Sequence, residues 1–257
     1  MKILKYKKEK NNQYKIYFED DSFIVLFDDV IVNHALLLKK ELSEKEIEAL
    51  TSENDELASY YVSIRYLGVK MRSRKELEKY LLKKEFQKAS IDKTIARLKK
   101  EGYLNDATYV KAFLHDALEL SSDGPNKIKR KLKDLGIDEV ILNEAVNAVD
   151  YNIWKSKLDR LVEKKVKGNH KDTEKILKQK LQGYLLTQGY SYSMIADALE
   201  NIKIEVNFDV LKKEYDKLKR KLERKYVASE LNFQIKQKLF QKGYSSDEIN
   251  KVEKNDN

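Results

Sequence analysis

The chain has 257 residues, 52 Lys and Arg against 43 Asp and Glu, a net charge of +9 and no Cys. Without Cys there is no disulfide framework, thiolate zinc site or thiol nucleophile. Charged residues are 37% of the chain; no apolar run is long enough to cross a bilayer, and the start MKILKYKKEKNN has no apolar leader core, so a soluble, cytoplasmic protein is expected.

In chain order, Tyr14, Ile16 and Phe18 alternate with polar residues, and Phe23, Val25 and Phe27 follow the acidic turn Asp20-Asp21. That pattern predicts a β-hairpin over residues 1–34, with Ile3 to Tyr6 as a candidate third strand. A lone hairpin is marginal in water, so it must gain that strand or dock on a helix. Residues 35–54 read as a linking helix opened by the capping box Ser43 to Glu46. A first three-helix unit is expected over 55–104: a helix from Asp55 to Lys70, a second opened by the capping box Ser73 to Glu76, and a third from Ile91 to Lys100. A second unit is placed at 105–149, with Pro125 in the first turn of its middle helix, where a missing N–H costs nothing. A third is placed at 150–202 and a fourth at 203–257, ending in a polar, frayed tail from Glu253.

These units share a phrase of two apolar residues, a turn, an apolar or aromatic residue and two further helical positions. Its copies are Leu77, Leu81, Glu85-Phe86, Ile91, Ile95; Ile128, Leu132, Gly136-Ile137, Leu142, Val146; Leu181, Leu185, Gly189-Tyr190, Ile195, Leu199; and Ile235, Leu239, Gly243-Tyr244, Ile249, with Glu253 last. The turns are 51, 53 and 54 residues apart, a period that signals one repeated supersecondary unit. The expected fold is all-α: four tandem three-helix repeats in an elongated curved array with a small N-terminal β-hairpin. Such arrays present surfaces to extended partners.

No catalytic constellation accompanies the repeats. His34, His115 and His170 are not at metal-ligand spacing, and no phosphate-cradling glycine loop occurs. Ser73 and Glu76 are explained by capping. No catalytic, cofactor or metal site is expected.

Positive charge recurs with the repeat. Residues 70–100 hold twelve basic and four acidic residues, and residues 124–136 hold five and one. Around the second helix of the second unit only Asp134 offsets Lys127, Lys129, Arg130, Lys131 and Lys133, which argues against salt bridging within that helix. Lys70, Arg72, Arg74, Lys75, Lys79, Lys127, Arg130 and Lys131 are therefore the candidate binding residues. Cations on successive helices can track phosphates without reading sequence. Each block is equally the solvated face of a helix; the recurrence is what favours binding.

Three phrases are familiar. Ser73-Arg74-Lys75-Glu76-Leu77 resembles the S-R-x-E-L phrase of the RecX family. Leu98 to Asp106 resembles its L-x-x-x-G-[YL]-[LI]-[DN]-D phrase. Gly124-Pro125 with Ile128, Leu132 and Leu135-Gly136-Ile137 resembles a third. They stand in family order at about family spacing and cover residues 57–149; Glu85, where later repeats have Gly, and Leu135, at a position often Lys, depart from the pattern. The resemblance implies a modulator of the RecA recombinase in DNA repair, recombination and the SOS response, usually an inhibitor. Family members lie in the groove of the RecA–DNA filament and often bind DNA, and the family has no catalytic residues to carry over. It implies RecA as partner; from the basic blocks, single- or double-stranded DNA is expected to bind weakly and salt-dependently, and a monomer is expected. The alternatives are a helical-repeat nucleic-acid-binding module or a protein–protein scaffold without a recombinase partner.

Overall fold

A computed structural model describes residues 1–254. The chain opens with three strands, β1 (Ile3–Lys8), β2 (Gln13–Phe18) and β3 (Phe23–Phe27), in one antiparallel sheet of order β1-β2-β3. Asn11 and Asn12, both at positive φ, turn β1 into β2; Asn tolerates that region better than most residues. The hairpin thus gains its third strand. The inner face of the sheet closes on α1 (Asp28–Asn33), a 3-10 turn at Leu36–Leu38 and the first half of α2 (Glu44–Val69), with Ile16, Phe18, Leu26, Val30, Ile31, Leu36, Leu42 and Leu50 buried together.

The linking helix and the first repeat helix are one 26-residue helix. The Ser43 capping box starts it, and neither Gly nor Pro interrupts residues 44–67. Its early residues Ile47, Leu50 and Leu57 face the sheet core. Its later residues Tyr60, Ile64, Tyr66 and Leu67 cover Leu77, Leu81, Ile91, Ile95 and Leu98 of α3 (Arg74–Lys83) and α4 (Lys88–Lys100). The polar stretch Thr51 to Asp55 looks like a break in sequence but is a change of buried face. Ser59 and Ser63 are fully buried on α2.

Three further helix triplets follow: α5 (Asp106–Leu120), α6 (Pro125–Asp134), α7 (Glu139–Asn147); α8 (Tyr151–Lys167), α9 (Glu174–Thr187), α10 (Tyr192–Glu200); and α11 (Phe208–Leu222), α12 (Ala228–Gln241), α13 (Ser246–Lys254). The apolar positions of the repeated phrase are buried in all four copies, except Phe86, which is half-buried. The expected fraying from Glu253 is not seen up to Lys254: both lie in α13, and Glu253 pairs with Lys236 at 2.7 Å. The rest of that tail, residues 255–257, lies outside the described residues. The chain forms two compact units, one of Met1–Ala112 with Leu132–Ile141, the other of Phe113–Lys131 with the residues from Leu142 onward.

The repeated turn has one geometry. Phe86, Ile137, Tyr190 and Tyr244 each donate their N–H to the carbonyl five residues back, on Leu81, Leu132, Leu185 and Leu239, and Glu85, Gly136, Gly189 and Gly243 each donate to the carbonyl three back. Those four turn residues all have positive φ. This is the Schellman termination, in which a left-handed residue satisfies the last carbonyls and the next apolar residue folds back on the helix.

The turn is also where one repeat meets the next. Inside the first compact unit, Lys75 in the first turn of α3 donates to Asp134 O at 3.0 Å, beside Gly136. Inside the second, Gly124 N donates to Gln188 O at 2.7 Å and Asn126 N to Gly189 O at 3.1 Å. Thr173 Oγ1 donates to Lys242 O at 2.5 Å. A Cβ on Gly189 would stand 2.6 Å from Lys127 Cβ, and one on Gly243 would stand 2.7 Å from Thr173 Oγ1. The middle helices of the first three triplets, α3, α6 and α9, thus each place the N-terminus, the positive end of the dipole, on the C-terminal carbonyls of the middle helix one repeat on.

Candidate nucleic-acid interface

The basic residues around α3 split into two kinds. The Ser73 hydroxyl accepts from Glu76 N, and Glu76 returns a carboxylate oxygen to Ser73 N at 2.8 Å, so the capping box fixes the start of α3. Arg74 is its first helical residue, exposed and outside that exchange; Lys70 and Lys79 are exposed too, and none of the three has an ion-pair partner among the described residues. Arg72 is turned inward: its guanidinium lies 4.6 Å from the centre of the Tyr66 ring, which stacks on Tyr80 at 3.9 Å, and Nη1 reaches Glu76 at 3.4 Å. Its Nε is buried without a hydrogen-bond partner. Tyr109 also donates to Glu76, and burial together with that carboxylate pushes its hydroxyl up to about 12. Lys75 serves the repeat junction.

On α6 the structure corrects the sequence reading. Asp134 is not the acid that answers this cluster. Asp123, just ahead of the helix and buried, pairs with Lys127 at 2.8 Å and also with Lys131. Burial by itself would raise the Asp123 carboxyl; hydrogen bonds and charge from Lys127 and Lys131 outweigh it and hold the pKa below the ordinary value. Lys127 also donates to Gln188 Oε1 at 2.8 Å, Lys129 to Asn147 at 3.2 Å, and Lys133 to Glu139. Arg130 is the cation of α6 left exposed with no ion pair among the described residues.

Residues 70–79 fall in one compact unit and Lys127, Arg130 and Lys131 in the other. Sequence reasoning does not single out Asp123, although it stands at i−4 from Lys127. It also passed over Gln188, which has no local signal, and Lys157, a buried lysine that donates to Ala117 O and whose pKa desolvation lowers.

No helix of the described residues is long and apolar enough to cross a membrane. The repeats match three family models in chain order: RecX, first three-helix domain, at residues 60–98; RecX, second three-helix domain, at 105–146; and RecX, third three-helix domain, at 156–199. A crystal structure titled regulatory protein RecX superposes with a TM-score of 0.67 at 22% identity, over 78% of this chain and 99% of that one, a likeness of fold. The crystal structure of RecX from Lactobacillus salivarius has a TM-score of 0.54 at 27% identity, over 58% of this chain and 96% of its own. Regulatory protein RecX of Streptococcus uberis is 32% identical across 97% of both chains, and that of Oceanobacillus iheyensis is 27% identical across 95% of this chain and 93% of its own. With similarity extending through the N-terminal sheet and α11–α13 as well as the three matched triplets, the chain belongs to the RecX family of regulatory proteins.

Proposed function

We propose that this protein binds the RecA–DNA filament and lowers recombinase ATPase and strand exchange by occupancy, as a cytoplasmic monomer with no catalysis of its own. The observation that carries the reading is alignment with regulatory RecX proteins over nearly the full chain, 97% of it in the Streptococcus uberis relative. Several weak contacts on one chain, each repeat meeting a neighbouring protomer, sum to durable binding by raising effective concentration. Lys70, Arg74, Lys79 and Arg130 are the cations we assign to this surface first, because they are exposed and have no ion-pair partner among the described residues; Arg72, Lys75, Lys127 and Lys131 are engaged by partners within the fold, although Lys75 and Lys131 are exposed as well. Phosphate contacts of this kind make DNA binding weak and salt-dependent.

The test is DNA-dependent ATPase and strand exchange by purified cognate RecA with this protein added. Both rates should fall, and Arg74→Glu combined with Arg130→Glu should raise the concentration for half-inhibition about tenfold while helix content is unchanged, since each lost phosphate or carboxylate contact is worth roughly 0.7 kcal/mol. If the intact protein changes neither rate at saturation and does not sediment with the filament, the recombinase reading fails. Salt-dependent DNA binding would then leave a nucleic-acid-binding module.

A further inference from the structure

The N-terminal sheet has two faces, and the fold uses one. Ile16, Phe18 and Leu26 are buried on the inner face. The register places Lys5, Tyr17 and Phe23 opposite one another across the three strands, and Lys7, Lys15 and Val25 in the next row. Because side chains alternate along a strand, both rows stand on the outer face. There Phe23 is 53% exposed. The Tyr17 and Phe23 rings lie 6.2 Å apart on neighbouring strands, tilted by 46°. Lys15 Nζ sits 3.5 Å from the Phe23 centroid and 4.9 Å from that of Tyr17, and Lys5 Nζ is also 4.9 Å from the Tyr17 centroid. Neither Lys5 nor Lys15 pairs with a carboxylate among the described residues, whereas Lys7 meets Glu9 at 3.2 Å.

We propose that this outer sheet face is a binding platform for single-stranded nucleic acid, with bases stacking on Tyr17 and Phe23 and phosphates held by Lys5, Lys15 and Lys7. The chemistry argues for that occupant. A sheet that presents aromatic rings between cations matches the two parts of an unpaired strand, flat bases and a charged backbone. Lysine ammonium groups resting on rings can swing to phosphates without breaking an ion pair, so binding forfeits little. A duplex keeps its bases stacked inside and offers nothing to the rings. The acidic turn Glu19 to Asp21 borders the Tyr17–Phe23 row, so the backbone runs away from it, toward Lys7 and Lys15. The site shares no residue with α3 or α6 and owes nothing to the recombinase reading.

The experiment is fluorescence anisotropy of a labelled oligothymidylate with the full-length protein and no recombinase present, so its failure leaves the filament reading untouched. Replacing both rings, Tyr17→Ala with Phe23→Ala, should weaken binding by about 10- to 100-fold, the loss of stacking for one to two bases. Tyr17→Phe should bind within about twofold of the parent. An abasic oligonucleotide of equal length should bind the parent as weakly as thymidylate binds the double variant. Lys5→Gln with Lys15→Gln, which leaves the inner core untouched, should reduce affinity and flatten the salt dependence. Ultraviolet crosslinking of the unaltered protein should mark the peptide carrying Tyr17 or Phe23, which keeps the test decisive if the alanine variant misfolds. Equal affinity for abasic and thymidylate strands, an unchanged double variant, or crosslinks confined to the helical repeats would overturn the proposal.

Discussion

At the scale of single residues, Asp123 is a buried carboxylate whose two lysines come from the next two turns of α6. Its loss leaves Lys127 and Lys131 facing a site built for an anion. Since the lysines are partly solvated, Asp123→Asn should cost about 1–2 kcal/mol, below the figure for a fully buried pair. The pH dependence has a definite sign. A carboxyl held below its unfolded pKa binds fewer protons in the folded state, so its contribution is complete above the unfolded value, near 4, and disappears as pH falls through the folded value. Urea midpoints measured from pH 7 to pH 2.5 should therefore show the parent losing stability faster than Asp123→Asn below pH 4, with a constant difference above pH 5. The same pairing changes how a charge-reversal experiment reads. Glu at Lys127 or Lys131 places a carboxylate against Asp123, so weakened DNA binding in such a variant would mix surface charge with lost structure. Arg130 tests the surface alone.

At the scale of the repeat, the four turns do the same local work but not the same tertiary work. All four residues sit at positive φ, yet three are Gly and one is Glu85. At Gly189 and Gly243 the first turn of the preceding middle helix occupies the space a Cβ would need. Glu85 belongs to the first repeat, has no earlier repeat to receive, and is exposed. Backbone strain alone permits a side chain there at about 1–2 kcal/mol; steric exclusion at the junctions does not. Gly189→Ala should therefore destabilise by more than about 2 kcal/mol, combining left-handed strain with displacement of Lys127. Glu85→Gly should be neutral or stabilise by roughly 0.5–1 kcal/mol, relief of strain set against a freer unfolded chain. Chemical denaturation of the two variants would separate the roles: effects equal in size and opposite in sign would mean that φ, rather than the junction, selects glycine.

At the scale of the whole chain, the junctions decide where it can be cut. Ending at Ile202 removes α11–α13 and costs α9 the bond from Thr173 to Lys242, but leaves the Gln188 and Gly189 carbonyls over the start of α6. Ending at Val149 removes those carbonyls too, together with α8 and its buried Trp154, Leu158 and Val162. Hydrogen exchange should show α6 amides protected in the 202-residue truncation and losing at least tenfold of that protection in the 149-residue one, since opening no longer breaks the two backbone bonds made by Gly124 and Asn126.

The repeated phrase by itself determined the helical class, the four turns and the buried stripes, because helix periodicity, capping boxes and Gly-apolar terminations are local and written within a dozen residues. The alternation from Tyr14 to Phe27 about the acidic turn Asp20-Asp21 carried the hairpin in the same way. What only the tertiary structure decided depends on partners far apart in the chain. Asp123 and Lys127 are four residues apart, but only burial of the carboxylate binds them into one site. Gln188, Lys157 and the junction glycines acquire their roles from neighbours 40 or more residues away. The division of the basic residues into Lys70, Arg74, Lys79 and Arg130, with no ion pair among the described residues, and the engaged Arg72, Lys75, Lys127 and Lys131 follows from the partners that the fold brings to each. A one-dimensional charge count cannot distinguish a cation that holds the fold from one that faces solvent, because that depends on which carbonyls and carboxylates the fold brings within reach.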